Sequence, residues 1–231
     1  MAAEATTTRA GTGAPAALDV KVAVRGPFAL EAEFVAPPGF TVVFGPSGAG
    51  KSTLLAAIAG FVRPHRGRVA LGSTVWFDQD RRVDVPPERR GVAVVFQSLA
   101  LFPHLTAAQN VAYGAPRELD REGRAALAAG LLDRLRVAHV AARRPATFSG
   151  GEAQRVALAR ALATNPRAVL LDEPFSALDA PLRRDLVADV RGLLRELAVP
   201  VLLVTHAEDE GVAGDRFLRI AAGRVAGSGV V

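Results

Sequence analysis

The chain has no cysteine among its 231 residues and no long apolar segment. The lack of cysteine excludes disulfide bonds, thiolate metal sites and a cysteine nucleophile. Asp, Glu, Arg or Pro interrupts every apolar stretch before it reaches the roughly 20 residues that a membrane-spanning helix needs. No internal repeat occurs at the periods of solenoid proteins. With 50% hydrophobic residues, the chain can bury the core of one large domain or of a domain with an insertion.

Lysine is nearly absent. All 28 basic residues are arginine except Lys21 and Lys51. A lysine kept in so arginine-rich a chain indicates a position that needs a compact ammonium rather than a planar guanidinium, such as a contact with phosphate.

The basic residues give a net charge of +5. This modest excess permits a nucleic-acid partner without requiring one. Paired arginines are spread along the sequence with no aromatic residues between them, which favours a solvated surface. The pairs are Arg81-Arg82, Arg89-Arg90, Arg143-Arg144 and Arg183-Arg184. We therefore expect no nucleic-acid partner.

The N-terminal half of the chain carries mainly strand patterns. Residues 1–17 are rich in Ala, Thr and Gly, and we expect a flexible tail rather than a signal peptide there. Residues 18–24 and 28–35 alternate across the Gly26-Pro27 turn, which predicts an antiparallel hairpin. A buried strand over residues 40–44 is followed by a helix that ends at Gly60. Residues 69–77 and 91–96 predict two further strands.

Helices dominate from residue 99 to residue 163. Helical periodicity is present over residues 107–111, 121–135 and 152–163. Strand patterns return at residues 168–171 and 200–205. Between them lies a helix with one apolar stripe, formed by Leu182, Leu186, Val190, Leu193 and Leu197. Alternating strands and helices with buried strands predict an α/β fold, in which helices cover both faces of a parallel sheet.

An eight-residue segment after the strand at residues 40–44 fits the pattern G-x-x-x-x-G-K-[ST]. The segment and the residue after it are Gly45, Pro46, Ser47, Gly48, Ala49, Gly50, Lys51, Ser52 and Thr53. Glycines let backbone N–H groups turn toward phosphate oxygens, Lys51 reaches the β- and γ-phosphates, and the Ser52 hydroxyl ligates Mg²⁺. A chance glycine turn is the alternative, but the flanking strand and helix favour a nucleotide site.

The strand at residues 168–171 ends in two carboxylates, Asp172 and Glu173. We expect this strand to lie beside the strand that precedes the phosphate loop, with Asp172 facing Mg²⁺. Adjacent strand residues point to opposite faces, so Glu173 is free to face the γ-phosphate and orient water. A solvated pair of acids is the alternative reading of these two residues in isolation.

A serine and two glycines, Ser149, Gly150 and Gly151, open the helix that carries Glu152. Taken alone, the serine is an N-cap. A plain cap does not need two glycines, which permit close approach of an anion to the helix N-terminus. We expect a second phosphate-binding surface here.

The order of the motifs resembles that of ATPase subunits of ABC transporters. The resemblance covers about residues 18–231. It is carried by the phosphate loop, Phe96-Gln97, Ser149-Gly150-Gly151-Glu152, Leu171-Asp172-Glu173-Pro174, Ser176-Ala177-Leu178-Asp179 and Thr205-His206. A set of this order is far more specific than any single motif.

The resemblance implies roles for individual residues. Gln97 is similar to the glutamine that contacts Mg²⁺ and the attacking water and senses the permease, and residues 149–152 are similar to the signature motif. Asp179 resembles the D-loop aspartate, among the nucleotide-binding residues, and also has the position of a helix cap. His206 resembles the switch histidine that hydrogen-bonds the γ-phosphate. The other histidines, His65, His104 and His139, are assigned no chemistry.

Three positions depart from the family pattern. Phe148 replaces the usual leucine of the signature, and Glu152 stands where glutamine is commoner. Phe28 is the only aromatic residue between Leu18 and Leu30 for stacking on adenine, and a place in the core is its alternative.

The family implies a P-loop ABC ATPase with a RecA-like parallel-sheet core. The expected core comprises residues 18–98, which include an N-terminal antiparallel β subdomain, and residues 164–231. Residues 99–163 are expected to be an inserted helical subdomain. The implied cofactors are ATP and Mg²⁺.

The implied assembly is a head-to-tail homodimer, in which each ATP lies between the phosphate loop of one copy and the signature of the other. The dimer would dock permease subunits near Gln97–Leu105 at the cytoplasmic face of the membrane, and would serve an extracytoplasmic substrate-binding protein indirectly.

The short first hairpin most resembles the ATPases of molybdate and tungstate importers. Importers of sulfate, iron, polyamines or sugars are the alternative. ABC ATPases that act without a permease, in DNA repair or translation, are disfavoured by the lack of a heptad run or a second phosphate loop. P-loop kinases would leave the signature helix and the acidic pair unexplained.

Overall fold

The computed structural model describes residues 16–26, 29–175, 180–205 and 215–230. In chain order its elements are β1 (Leu18–Val24), β2 (Leu30–Ala36), β3 (Gly39–Phe44), α1 (Lys51–Ala59), β4 (Arg66–Leu71), β5 (Thr74–Asp78), β6 (Val83–Asp84), β7 (Val92–Val95), α2 (Ala107–Gly114), α3 (Arg121–Arg134), α4 (Gly150–Ala163), β8 (Ala168–Asp172), α5 (Ala180–Glu196), β9 (Pro200–Thr205), β10 (Arg216–Ala221) and β11 (Arg224–Val230). The described strands form one sheet in the order β6-β5-β4-β1-β2-β11-β10-β3-β9-β8-β7.

The core of the sheet is parallel, as the sequence predicts. β7, β8, β9, β3 and β10 pair in parallel, and β9 is buried along its whole length. Leu170 and Leu202 pack on the side of α1, whereas Leu171 and Leu203 pack on the side of α4 and α5. Both faces are therefore covered, which explains why these strands are continuous apolar runs rather than alternating ones.

The predicted neighbour of β3 is wrong. β9 lies between β3 and β8, so the strand that ends in Asp172 is two strands away from the phosphate loop. β8 and β9 are both continuous apolar runs. The hydrophobic pattern therefore cannot tell which of them pairs with β3.

The predicted N-terminal hairpin is confirmed over the described residues, with β1 antiparallel to β2 from Leu18↔Ala36 to Val24↔Leu30. The single strand predicted over residues 69–77 is wrong. It is a hairpin of β4 and β5 that turns at Gly72, which has a φ of 54°. Apolar runs stand on both sides of the turn, at residues 69–71 and 75–77, and the prediction joined them into one strand.

Two strands near the C-terminus, β10 and β11, were not predicted. β11 pairs with β10 and also meets β2 through the pair Arg224↔Glu31. Two glycines weaken the strand pattern of β11. This contact joins the antiparallel strands to the parallel core in one sheet.

The helices α2, α3 and α4 form the predicted helical region, although α2 continues past residue 111 to Gly114. Buried residues from these helices, such as Leu132 and Val156, belong to the same apolar cluster as Val95 and Leu171 of the sheet. Among the described helices, none is both long enough and apolar enough to cross a membrane.

Candidate nucleotide-binding site

The phosphate loop connects β3 to α1 and has a backbone that only glycine fits at two points. Gly45 has a φ of 155°, and a Cβ atom there would lie 2.0 Å from the carbonyl oxygen of Ile220 in β10. Gly50, with a φ of 100°, is the N-cap of α1 and has no side chain to cap it. The N-terminal amides of α1 are therefore left to an anion, which the helix dipole also favours.

Lys51 lies at the first turn of α1 with its side chain buried. Its Nζ donates hydrogen bonds to the carbonyl oxygens of Gly45, at 2.7 Å, and Pro46, at 3.0 Å. Burial lowers the pKa of Lys51, while the nearby charges of Glu173 and Asp172 raise it. The ammonium is thus held at the loop by carbonyls, where a phosphate would compensate its lost hydration.

Both acids at the end of β8 reach the loop. The Ser52 hydroxyl donates a hydrogen bond of 3.1 Å to Oδ1 of Asp172. Glu173 adopts a left-handed conformation, with a φ of 48°, and its N–H donates to the Val204 carbonyl at 3.0 Å. This turn ends the strand alternation, so Glu173 faces the same cleft and not the opposite side of the sheet.

These residues line a cleft of about 200 Å³. The lining residues are Ser47, Gly48, Gly50, Lys51, Ser52, Thr53 and Glu173. This volume is below the roughly 300–1,000 Å³ of pockets that enclose a whole small ligand. The cleft therefore fits the phosphate end of a nucleotide better than the entire molecule.

The pair Ser52 and Asp172 has the chemistry of a Mg²⁺ site. Mg²⁺ takes oxygen ligands and is usually held by one or two carboxylates together with substrate phosphates and water. No group of three or more His, Cys, Asp or Glu side chains suited to a metal occurs among the described residues. The donor set therefore fits a cation that arrives with phosphates rather than one in an all-protein cage.

Arg90 supports the other end of α1. Its side chain is fully buried, and it donates to the carbonyl oxygens of Ala57, at 3.1 Å, Ile58, at 2.8 Å, and Val85, at 2.7 Å. Burial lowers its pKa and Asp84 raises it. The prediction that the arginine pairs are solvated is wrong for this residue, because a cation at a helix C-terminus satisfies carbonyls that the helix leaves open.

The signature residues begin α4 and do not line the cleft. Ser149 is the N-cap, and it forms a capping box with Glu152. The Glu152 N–H donates to Ser149 Oγ at 3.3 Å, and the Ser149 N–H donates to Glu152 Oε2 at 2.6 Å. Gly150 and Gly151 start the helix behind the cap.

His139 and Arg143 were given no role by the sequence, yet both contact Glu152. Oε1 of Glu152 lies 2.9 Å from His139 Nε2 and 3.4 Å from Arg143 Nη1. The hydrogen bond from the Ser149 N–H, followed by that from His139, lowers the pKa of Glu152 to about 2. Since the carboxylate is ionised and can only accept, His139 Nε2 must carry the proton. No local pattern 13 residues upstream could have revealed this contact.

Gln97 is exposed in the loop after β7 and is not among the residues that line the cleft. Two and three residues further along, Leu99 and Ala100 have φ values of 56° and 46°. Arg160 of α4 donates to both of their carbonyl oxygens. No pattern in the sequence points to Arg160, because a helical arginine carries no signal of its tertiary partner.

The segment that follows is fixed by Asn110 of α2, which is fully buried. Asn110 Oδ1 accepts from the Phe102 N–H at 2.8 Å. Its Nδ2 donates to the carbonyl oxygens of Phe102, at 3.1 Å, Leu105, at 3.2 Å, and Thr106, at 3.0 Å. The loop predicted to meet a permease therefore has a defined conformation.

Three of the residues singled out by the sequence, Phe28, Asp179 and His206, lie outside the described residues. Their roles stay predictions.

A scan against family models matches residues 34–176 to the family described as "ABC transporter". The molybdenum import ATP-binding protein ModC of Brucella abortus (strain 2308) is 41% identical over 212 residues, which cover 88% of this chain and 56% of that protein. The chain thus spans little more than half the length of this relative.

Two further relatives cover similar parts of the chain. The molybdate/tungstate import ATP-binding protein WtpC of Archaeoglobus fulgidus is 46% identical over 182 residues, 78% of this chain and 72% of that protein. The spermidine/putrescine import ATP-binding protein PotA of Frankia alni is 45% identical over 229 residues, 94% of this chain and 48% of that protein.

Among solved structures, a dimeric ATP-binding cassette in a post-hydrolysis state, bound to ADP and Pi, superposes with a TM-score of 0.77 at 28% identity. The match covers 92% of this chain and 98% of that one. The expected α/β P-loop fold of an ABC ATPase is confirmed by this similarity together with the mixed sheet and its helices. On the family match and the identity to curated relatives, the chain belongs to the ABC transporter family.

Proposed function

We propose that this chain is the ATP-hydrolysing subunit of an ABC importer. The observation that carries the proposal is the convergence of Lys51, the Ser52–Asp172 pair and Glu173 on one cleft at the N-terminus of α1. A cation, a hydroxyl–carboxylate pair and a second carboxylate are the groups that hold a triphosphate and activate a water molecule beside it.

In the proposed reaction, the amides of residues 45–53 hold the phosphates and Lys51 contacts the β- and γ-phosphates. Ser52, Asp172 and Gln97 would hold Mg²⁺, which neutralises charge on the phosphate oxygens when it is bound. Glu173 accepts a proton from water as the water oxygen bonds to the γ-phosphorus and the bond to ADP breaks. His206 is proposed to hydrogen-bond the γ-phosphate.

The second half of the site is proposed to come from another copy of the chain. Residues 149–152 do not line the cleft within one copy, although their helix N-terminus suits an anion. The solved structure of similar fold is a dimer. In the proposed head-to-tail homodimer, Ser149 and Gly151 of the partner subunit close over the γ-phosphate, and Asp179 lies at the interface.

The test of the hydrolytic role is Glu173→Gln, which removes the proposed base but keeps the shape of the side chain. We expect ATP binding to persist, steady-state hydrolysis to fall at least about 100-fold, and an ATP-bound dimer to accumulate in size-exclusion chromatography. Glu88→Gln, at an exposed position away from the cleft, is the matched control and should hydrolyse ATP normally. Unchanged hydrolysis in Glu173→Gln would remove Glu173 from the mechanism.

A permease is proposed to dock on the surface around Gln97–Leu105, which would place the dimer at the cytoplasmic face of the membrane. Exposed aromatic side chains support this surface, since Phe96 is 41% exposed beside Phe61 at 55%, and Tyr113 is 70% exposed beside Phe102. Apolar side chains that cluster on a solvent-exposed surface are typical of interaction sites. An extracytoplasmic substrate-binding protein would complete the importer.

The proposed cargo is molybdate or a related oxyanion, on the similarity to ModC and WtpC. The similarity to PotA keeps a polyamine as the second candidate. Cells that lack the chain, grown with limiting molybdate, tungstate or sulfate, would be compared with complemented cells by elemental analysis and polyamine uptake. A lower molybdenum or tungsten content in cells without the chain would support an oxyanion as the cargo. Lower polyamine uptake with unchanged metal content would show that the cargo is a polyamine instead.

A further inference from the structure

Two consecutive residues after Gln97 adopt a backbone conformation that L-residues disfavour. Leu99 has a φ of 56° and Ala100 a φ of 46°. Side chains with a Cβ atom rarely occupy this region, and such residues persist only where the surrounding structure holds them. The Ala100 N–H donates to the Ser98 carbonyl at 2.6 Å, so the turn is tight as well as left-handed.

The group that holds this turn is the guanidinium of Arg160. Its Nη1 donates to the Ala100 carbonyl oxygen at 2.7 Å, and its Nη2 donates to the Leu99 carbonyl oxygen at 3.0 Å. The same guanidinium lies 5.3 Å from the centre of the Phe102 ring. A planar fork that bonds two adjacent carbonyls fixes the direction of both, which a single ammonium cannot do.

Arg160 has no carboxylate partner in the part of the chain that the structure describes. Burial lowers its pKa. The two loop carbonyls and the Phe102 ring contact this half-buried charge, so the guanidinium stabilises the loop and the loop in turn stabilises the charge.

Arg160 belongs to α4, the helix that begins at the signature residues. It lies about 16 Å along the helix axis from Ser149, at roughly 1.5 Å per residue. The backbone of Arg160 also packs closely against α2. A Cβ atom at Gly114 would lie 2.3 Å from the Arg160 carbonyl oxygen. Ser149, Arg160 and the turn at Leu99–Ala100 are thus connected through one rigid helix.

We infer that Arg160 is a positioning residue that couples the signature helix to the loop of Gln97. The inference rests on the proposed function. Movement of α4, as Ser149 approaches ATP on the partner subunit, would carry the Leu99 and Ala100 carbonyls with it and so set the place of Gln97. Without the fork, the left-handed turn relaxes and Gln97 loses its fixed position.

The first readout does not depend on activity. Hydrogen exchange of the amides in residues 97–105 is measured in the full chain for wild type, Arg160→Met and Arg160→Lys. We expect at least about tenfold faster exchange in both variants, with the amides of β3 and α1 unchanged. Arg155→Met is the matched control, because Arg155 lies on the same helix and donates to the Leu135 carbonyl at 3.0 Å.

The second readout is the kinetics of ATP hydrolysis. Arg160→Met should lower kcat about tenfold or more with KM for ATP within about twofold, since the phosphate loop is untouched while a catalytic group is misplaced. Ala100→Gly lowers the conformational energy of the left-handed turn, so that the turn can form without Arg160. It should therefore restore part of kcat in the Arg160→Met background and change little in wild type.

Unchanged loop exchange in folded Arg160→Met would overturn the inference, as would equal effects of Arg155→Met on the loop and on kcat. A lower melting temperature with wild-type kcat would reduce Arg160 to a structural residue. Should the wild-type chain hydrolyse no ATP, the proposed function fails, and the exchange experiment still decides whether Arg160 holds the loop.

Discussion

The N-termini of α1 and α4 both offer backbone amides to an anion, but they are built differently. Gly50 caps α1 in a left-handed conformation with no side-chain hydrogen bond. Ser149 and Glu152 close the start of α4 in a reciprocal capping box. The first helix leaves its end to a ligand, whereas the second satisfies part of its own end and adds a negative charge there.

This difference indicates different duties in the proposed dimer. The start of α1 is surrounded by Lys51 and the strand-end acids, so it is organised to hold phosphates before any partner arrives. The start of α4 is stable without a ligand, because its carboxylate is bonded by the Ser149 N–H, His139 and Arg143. Such a helix start suits a surface that contacts ATP only after two copies of the chain associate in the proposed dimer.

The largest effect is expected from a substitution that removes the ammonium group at the N-terminus of α1. Lys51→Ala should lower kcat/KM for ATP at least about 100-fold, because the β- and γ-phosphates lose their charged contact in a partly desolvated site. Lys21→Ala is the natural control, as Lys21 is the other lysine and lies exposed beside Glu33. Similar activity in the two variants would contradict the assignment of the site.

A smaller effect should follow from adding a side chain at a glycine of the phosphate loop. In Gly45→Ala, the new Cβ would meet the Ile220 carbonyl oxygen at 2.0 Å, so β10 or the loop must shift. We expect a loss of about 1–3 kcal/mol in the free energy of unfolding and weaker nucleotide binding, measured by denaturation and titration calorimetry. Gly130→Ala, in α3 with open space around it, should instead stabilise the chain by about 0.5–1 kcal/mol.

The smallest effect concerns the charge on the α4 cap. The pKa of Glu152 is about 2 in the folded chain against an ordinary 4.5. A lowered folded pKa means that the carboxylate stabilises the fold fully above pH 4.5 and loses this contribution as the pH falls from 4.5 toward 2. Wild type should therefore exceed Glu152→Gln in melting temperature at pH 6, and the gap should narrow by pH 3.

Glutamine can still close a capping box, so this comparison isolates the charge from the cap. The gap at pH 6 should correspond to less than about 1 kcal/mol, since the His139 and Arg143 side chains that face Glu152 are partly exposed to water. A gap that stays constant from pH 6 to pH 3 would show that the charge on the Glu152 carboxylate does not stabilise the fold.

Local signals predicted the parts of the molecule that are contiguous in sequence. The glycines and lysine of the phosphate loop, the cap at Ser149 and the buried strand before Asp172 each follow from a short pattern. The hairpin of β4 and β5 was missed because the apolar runs on either side of Gly72 were taken as one strand. The strand β11 was missed because its two glycines dilute the strand pattern.

The sequence by itself determined the α/β class, the phosphate loop, the acidic strand end and the family, because these depend on residue types at short fixed spacings. Only the tertiary structure decided that β9 separates β3 from β8, that Glu173 turns back to the cleft, and that Arg90 is buried under α1. It also decided that His139 meets Glu152 and that Arg160 holds Leu99 and Ala100. These contacts join residues 13 to about 60 positions apart, and their energies come from burial and hydrogen-bond geometry that no local pattern encodes.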